Sequence, residues 1–335
     1  MPDTIRAVLL VLSLAGAELV TPPLSAQQPA NAASQAQQKK EQVFYFPKPR
    51  LRTAYEPPMK PVTHLADLKA QHAGQAAWRE LVIADNNSRA SMIQQPPGSK
   101  YERRMYADSP AWWAVLEGRI DFEIEQPGGR FEKIEARKGS YVFPPERLLH
   151  SLEVVGDKPA IRFEVTLAGA TTVFAQRPET RDNGSTEYIP IRLSTGPNPL
   201  DVPDPGGKAW PRHVNIHDLA EENKGKPRWS RPAMRKNRVR GNFICGQASA
   251  ERKVEPGYRG HFHSDFAEFW VIMLGELQWI FEGDFDHPVI AQQGDIVYAP
   301  PKTFHIPQFR GSDGLNCRLT SSTFPSANHL FDAPH

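Results

Sequence analysis

The feature that most constrains this chain is that it repeats itself. The stretch "RHVNIHDLAEENKGKPRW" follows the order of "PVTHLADLKAQHAGQAAW", with Leu219 lying 151 positions after Leu68 and Trp229 lying 151 after Trp78. Further along, Arg104, Tyr106, Ala111 and Gly118 stand 157 positions before His261, His263, Glu268 and Gly275. Gly139, Pro145 and His150 stand 155 before Gly294, Pro300 and His305. The change of two residues between Gly118 and Gly139 falls where a hairpin loop tolerates it. A tandem duplication must build one architecture twice, and 335 residues with 39% hydrophobic side chains suffice for two domains that each bury a core.

Within each copy a short helix comes first and short strands follow. "PVTHLADLKAQHAG" has helical spacing, whereas "AAWRELVIADNNSRASMIQQPPGS", "AWWAVLEGRIDFEIE", "GSYVFPP" and "AIRFEVTLA" are short strands punctuated by Gly, Pro and Asn. This predicts an all-β protein of two barrels or sandwiches packed face to face, with few, peripheral helices. The expected boundaries are a first barrel over 62-178, a linker over 179-211 containing "STGPNPLDVPDPGGKAWP", and a second barrel over 212-335. Residues 27-61, rich in Gln, Ala, Lys and Pro, read as an arm that could latch onto a neighbouring copy in a homo-oligomer.

The first 26 residues have the layout of a signal peptide: Arg6, an apolar run from Ala7 to Ala17, then small residues. Cleavage is expected after Ala26, with Ala32 as the alternative, and the run is too short to span a bilayer as a helix. An uncleaved anchor is the other reading, because Asp3 offsets Arg6. A periplasmic or secreted location follows from cleavage. The net charge of +2 calls for no nucleic acid and no membrane partner in the mature form. The basic run from Lys224 to Arg240 reads as a solvated loop surface. Cys245 and Cys317, the two cysteines, exclude a disulfide scaffold and a thiolate cluster; a pair and two buried thiols both remain open.

The second copy contains "HFHSDFAEFWVIMLG" over 261-275 and "GDIVYAPPKTFHIPQF" over 294-309. Residues two apart on a strand share a face, so His261 and His263 aim into one barrel. Glu268 opens the next strand and can point back beside them. Gly294 opens another strand, Pro300 and Pro301 end it, and His305 follows the turn. Three imidazoles and a carboxylate converge, which suits one divalent ion among Fe, Mn, Zn, Ni and Cu. An octahedral ion such as Fe or Mn keeps open positions for a substrate, whereas zinc held tetrahedrally by all four keeps none.

These two stretches resemble the paired motifs of the cupins, G-x5-H-x-H-x3,4-E-x6-G and G-x5-P-x-G-x2-H-x3-N. His261, His263, Glu268 and Gly275 meet the first, with Glu255 in place of the leading glycine; Gly294, Pro300 and His305 meet the second. Lys302 stands where glycine is usual and Phe309 where asparagine is. The resemblance implies two tandem cupin-type (jelly-roll) β-barrels, with His261, His263, Glu268 and His305 as metal ligands in the second.

In the first copy the matching positions are Arg104, Tyr106, Ala111 and His150, and neither arginine nor alanine can ligate an ion. That barrel is expected to be metal-free, its histidine either a core residue or part of an anion pocket with Arg104 and Tyr106. The resemblance spans many reactions. The expected activity is an exported metal-dependent dioxygenase acting on a small aromatic or carboxylate substrate, with an oxalate-decarboxylase-like lyase or a non-catalytic binding protein as alternatives. Trp270, Met273, Trp279, Phe281, Tyr298 and Phe304 lie on nearby strands, and Trp270 and Ile272 share the parity of Glu268. Tyr298 is the candidate catalytic side chain, a phenol able to orient substrate or move a proton.

Overall fold

The computed structural model describes residues 43–49, 55–126, 128–178, 186–193, 211–236, 239–251, 253–282, 284–312, 314–322 and 329–332. The expected signal peptide over 1–26, the arm up to residue 42 and the linker core over 194–210 lie outside them. Phe46–His335 form one compact unit, and Val43–Tyr45, in the other unit, carry no regular secondary structure.

Two antiparallel sheets make up each half. In the second half a six-stranded sheet runs in the order Val62–Thr63, Ile296–Ala299, Glu268–Leu274, Asn316–Ser322, Val239–Gly246 and Arg228–Lys236. Its facing five-stranded sheet runs Asp284–Gln292, Glu276–Phe281, His305–Phe309, His261–Phe262 and Leu330–Phe331. The chain crosses between these sheets at nearly every connection, which is the strand order of a jelly roll. The first half repeats that order with His213–Asn215, Ser140–Val142, Ala111–Glu117, Ala160–Leu167, Ser88–Gln95 and Trp78–Ala84 in one sheet. Thr172–Phe174, Lys100–Tyr106, His150–Val155, Arg119–Glu125 and Phe131–Arg137 form its other sheet. Among the described residues the molecule is therefore two tandem jelly-roll β-barrels with few helices.

The two six-stranded sheets face each other, and the largest apolar cluster fills the space between them. Trp112 of the first half stacks on Phe269 of the second at 6.2 Å. Glu268–Leu274 is consequently buried on both faces, which is why "EFWVIML" is continuously apolar after its first residue rather than alternating. Phe269, Val271 and Met273 face the other half, whereas Trp270 and Ile272 face the barrel's own interior with Leu277, Trp279 and Phe281.

Each half also lends its leading segment to the other. Val62–Thr63, ahead of the first barrel, pairs with Val297 and Ile296 of the second. His213–Asn215, ahead of the second, pairs with Ser140–Val142 of the first. Among the described residues two α-helices follow these strands: α1 (Leu65–Gln71) and α2 (Ile216–Glu222), each burying residues i and i+3, Leu65 with Leu68 and Ile216 with Leu219. Asp295 anchors α1 by accepting from the Leu65 N–H at 2.9 Å and from His64 Nδ1 at 2.8 Å. Gly294 next to it has φ +97°, and a Cβ there would meet Leu65 Cδ2 at 2.6 Å, so only glycine lets the helix sit this close.

Ser140 holds the equivalent post in the first half, bonded to His213 Nε2 at 2.9 Å and to Asn215 Nδ2 at 3.0 Å.

Two sequence readings are settled here. The basic run from Lys224 is a turn only at its start: from Arg228 it is the sheet-edge strand Arg228–Lys236, paired with Val239–Gly246, and charge on an edge discourages pairing with other chains. Cys245 and Cys317 stand opposite each other on adjacent strands and form a disulfide, with their Cα atoms 4.1 Å apart. Among the described residues no helix is long and apolar enough to cross a membrane.

Candidate metal centre

His261, His263, Glu268 and His305 meet inside the second barrel, with one ligand atom from each lying within 4.8 Å of the others. Three short local features place them. His261 pairs in register with His305, which sets the two imidazoles side by side on the five-stranded sheet. Gly260, at φ +83°, sits where a Cβ would collide with the His305 carbonyl, so glycine is needed for that approach. Lys302 adopts φ +64° and gives its N–H to the His263 carbonyl at 2.6 Å, tying the turn before His305 to the strand end carrying His263. A basic side chain occupies a left-handed position here, and Arg147 does so at the matching turn of the first half, with φ +62° and its N–H on the Tyr106 carbonyl.

The geometry suits an ion. His305 Nδ1 donates to the Thr303 carbonyl at 2.9 Å, which leaves Nε2 as the nitrogen turned inward and able to ligate an ion. That Nε2 lies 3.1 Å from Glu268 Oε2. His263 Nε2 reaches the same oxygen at 2.9 Å and His261 Nε2 approaches it at 3.7 Å. One carboxylate oxygen shared by three imidazoles is a sound arrangement when a cation lies among them. Burial would push the Glu268 carboxyl up, but the imidazoles of His261, His263 and His305 gathered around it outweigh that and hold the group well below the usual carboxylate range. Burial also lowers His261, which keeps it neutral and able to ligate.

His263 and His305 are buried, while His261 keeps 17% of its side chain exposed, so the cluster opens on the His261 side. His329 stands there, its ring 4.3 Å from that of His261 and 5.2 Å from that of His263. Pairing of Leu330–Phe331 with His261–Phe262 brings it in. Loss of hydration and the neighbouring His261 lower it to about 4. Sequence reasoning missed His329 because it follows no motif and owes its place to a two-residue strand near the end of the chain. The interior beneath the cluster is filled: Trp270 and Trp279 are buried and packed at 5.3 Å, and Trp270 lies edge-on to His305 at 5.1 Å.

Tyr298 is not at this site. Glu268 pairs with Ala299 and Phe269 with Tyr298, so Val297 and Ala299 share the face of Glu268 while the tyrosine turns towards the other half. Its hydroxyl donates to Asp85 Oδ2 at 2.9 Å, and burial beside that carboxylate raises its ionisation well above the ordinary phenol. The same parity removes Met273 from the walls and keeps Trp270, Ile272, Trp279 and Phe281 in them.

In the first half, Arg104 pairs in register with His150 and Ala111 occupies the position of the carboxylate ligand. The buried carboxylate has moved to Glu164 on a neighbouring strand, where it accepts from Trp113 Nε1 at 2.9 Å. Among the described residues, the cluster able to hold a metal lies in the second half.

No protein-family model matches this chain, and no curated protein matches it significantly. Among solved structures, an oxalate decarboxylase of Bacillus subtilis is similar at 15% identity, covering 76% of this chain and 75% of its own, with a TM-score of 0.47. The formate complex of a Lactobacillus farciminis oxalate decarboxylase is similar at 15% identity, covering 76% and 84%, with a TM-score of 0.48. Another study of the Bacillus enzyme, concerned with its Mn(II) centres, gives 15% identity and a TM-score of 0.46.

Proposed function

We propose that this protein is a metal-dependent enzyme of the second barrel, acting on a small carboxylate at an ion held by His261, His263, Glu268 and His305. The observation that carries the reading is the convergence of three imidazoles on one oxygen of the buried Glu268 carboxylate, an arrangement that suits a cation. When bound, a divalent ion would act as a Lewis acid on a substrate oxygen. Three neutral imidazoles and one carboxylate leave a dipositive ion with a net positive charge, which favours an anion. The filled interior behind Trp270 and Trp279 favours a small one. Carbon–carbon cleavage of a carboxylate, of the oxalate-decarboxylase type, therefore ranks ahead of the dioxygenase reaction on an aromatic substrate.

The protein's own groups have defined tasks. Glu268 offsets the charge of the ion, and the Thr303 carbonyl fixes the tautomer of His305. His329 borders the open side and can contact a bound substrate. Iron or manganese suits the open coordination best. We further propose that the protein works outside the cytosol, a reading supported by the layout of residues 1–26 and by the Cys245–Cys317 pair.

The test is a metal-loaded preparation assayed with oxalate and other small carboxylates for released carbon dioxide, and in parallel for oxygen uptake with phenolic compounds. Carbon dioxide release without net oxygen consumption supports the lyase reading. Stoichiometric oxygen uptake supports the dioxygenase. Saturable binding with neither reaction would make the protein a binder.

A further inference from the structure

The interior of the first barrel holds a charged cluster that the proposed reaction does not use. Arg162 is fully buried and tied on both amino groups, Nη1 to Gln95 Oε1 at 2.6 Å and Nη2 to the Tyr101 hydroxyl. Tyr101 lies between two guanidiniums, with Arg104 Cζ 3.8 Å and Arg162 Cζ 4.6 Å from its ring centre. Glu164 already has a donor on each oxygen, Arg79 Nη2 at 3.2 Å and Trp113 Nε1 at 2.9 Å. Arg104 Nη2 stays 3.9 Å from it, and Arg162 Nε 3.6 Å, both beyond hydrogen-bond reach.

Two orphaned edges of opposite character result. Arg104 has both Nε and Nη2 buried without a partner, and these are the two parallel N–H donors that match the two oxygens of a carboxylate. Across the strand pair, His150 gives its Nδ1–H to the Leu148 carbonyl at 3.1 Å, so its Nε2 is an acceptor, also buried and unpartnered. The balance of charge agrees: Arg79, half exposed, and the more buried Arg104 and Arg162 face the one carboxylate of Glu164, leaving positive charge in excess. Buried charge of this kind calls for a counter-ion. The phenol of Tyr106, its ring 5.7 Å from that of His150, borders these groups, and Arg104 as a whole keeps 15% of its side chain exposed although its Nε and Nη2 are buried.

We propose that the first barrel binds a small 2-hydroxycarboxylate, its carboxylate on the Nε/Nη2 edge of Arg104 and its hydroxyl donating to His150 Nε2. The ligand supplies the missing negative charge and satisfies a donor pair and an acceptor together. This goes beyond the reaction proposed for the second barrel and does not depend on it.

Titration calorimetry of the full-length protein with glycolate and with acetate tests it, alongside the variants Arg104→Lys and His263→Ala. The expected result is one glycolate per chain bound by His263→Ala, in which the metal site is lost, and the same site kept in the natural protein beside any carboxylate held at its ion. Arg104→Lys, which keeps the charge and loses the fork, should bind about tenfold more weakly. Acetate, lacking the hydroxyl, should bind His263→Ala about tenfold more weakly than glycolate. The glycolate-to-acetate comparison in His263→Ala leaves the first barrel untouched and stands even if Arg104→Lys fails to fold. Absence of saturable glycolate binding, equal affinity for the two acids, or binding lost in His263→Ala and kept in Arg104→Lys would each overturn the proposal.

Discussion

The two barrels solve one problem in different ways. Each has a polar cluster at the same place inside a jelly roll, fed by the same pair of strands and closed by the same left-handed turn. In the second barrel the carboxylate projects from position 268 among three imidazoles, and the cluster is built for a cation. In the first the carboxylate projects from position 164, the imidazole partners are gone apart from His150, and two arginines supply fixed positive charge. The scaffold is indifferent to the chemistry it holds. The first copy carries guanidiniums where the second gathers imidazoles, and both halves pack through their inner sheets.

Substitutions can sharpen that contrast, and the ligand set should show the largest effect. Removing His305 by His305→Ala should weaken metal affinity by at least about 100-fold, read by competition with a chromophoric chelator, whereas His150→Ala should leave it unchanged. An equal loss in both variants would erase the distinction between the halves.

A smaller effect is expected where the halves exchange segments. Asp295→Ala strands the buried Leu65 N–H and the Gln292 N–H, which it accepts at 2.9 and 2.8 Å. Urea denaturation should show a loss of about 2–4 kcal/mol, against about 1–2 kcal/mol for Ser140→Ala. A loss at Asp295 no larger than at Ser140 would mean that α1 matters little to the second barrel.

The third expectation concerns pH. Burial, with Arg104 beside it, lowers His150 from 6.5 to about 4. The unfolded chain therefore takes up a proton below pH 6.5 that the folded chain refuses, so the contribution is intact above 6.5 and is lost as pH falls towards 4. For this buried group the loss is about 3 kcal/mol at most. Measured as the difference between the natural protein and His150→Leu, stability should diverge over that window and nowhere above it.

The smallest effect belongs to the shared turn. Lys302→Gly and Arg147→Gly each relieve a left-handed residue, offset by the greater freedom of glycine in the unfolded chain, so thermal melts should shift upward by less than about 1 kcal/mol in either half.

Much of this was legible in the sequence because the duplication displays itself. The offset of 157 located both clusters, the i and i+2 parity of His261 and His263 set their shared face, and Trp270 and Ile272 followed from the parity of Glu268. Tyr298 was misjudged because its face depends on which residue it opposes, and Phe269, its register partner, lies on the inter-barrel side. Local sequence does not carry register. Nor could it show that Glu164 replaces Ala111, since the two lie on different strands. The exchange of Val62–Thr63 and His213–Asn215 is equally silent, because a short strand pairs wherever an edge is offered.

The most direct test of the central claim is metal content per chain, measured by elemental analysis after reconstitution with iron or manganese and removal of the excess. The account predicts one ion in the natural protein and in Tyr106→Phe, and far less than one in His263→Ala. A full ion retained by His263→Ala, or lost equally from Tyr106→Phe, would contradict it.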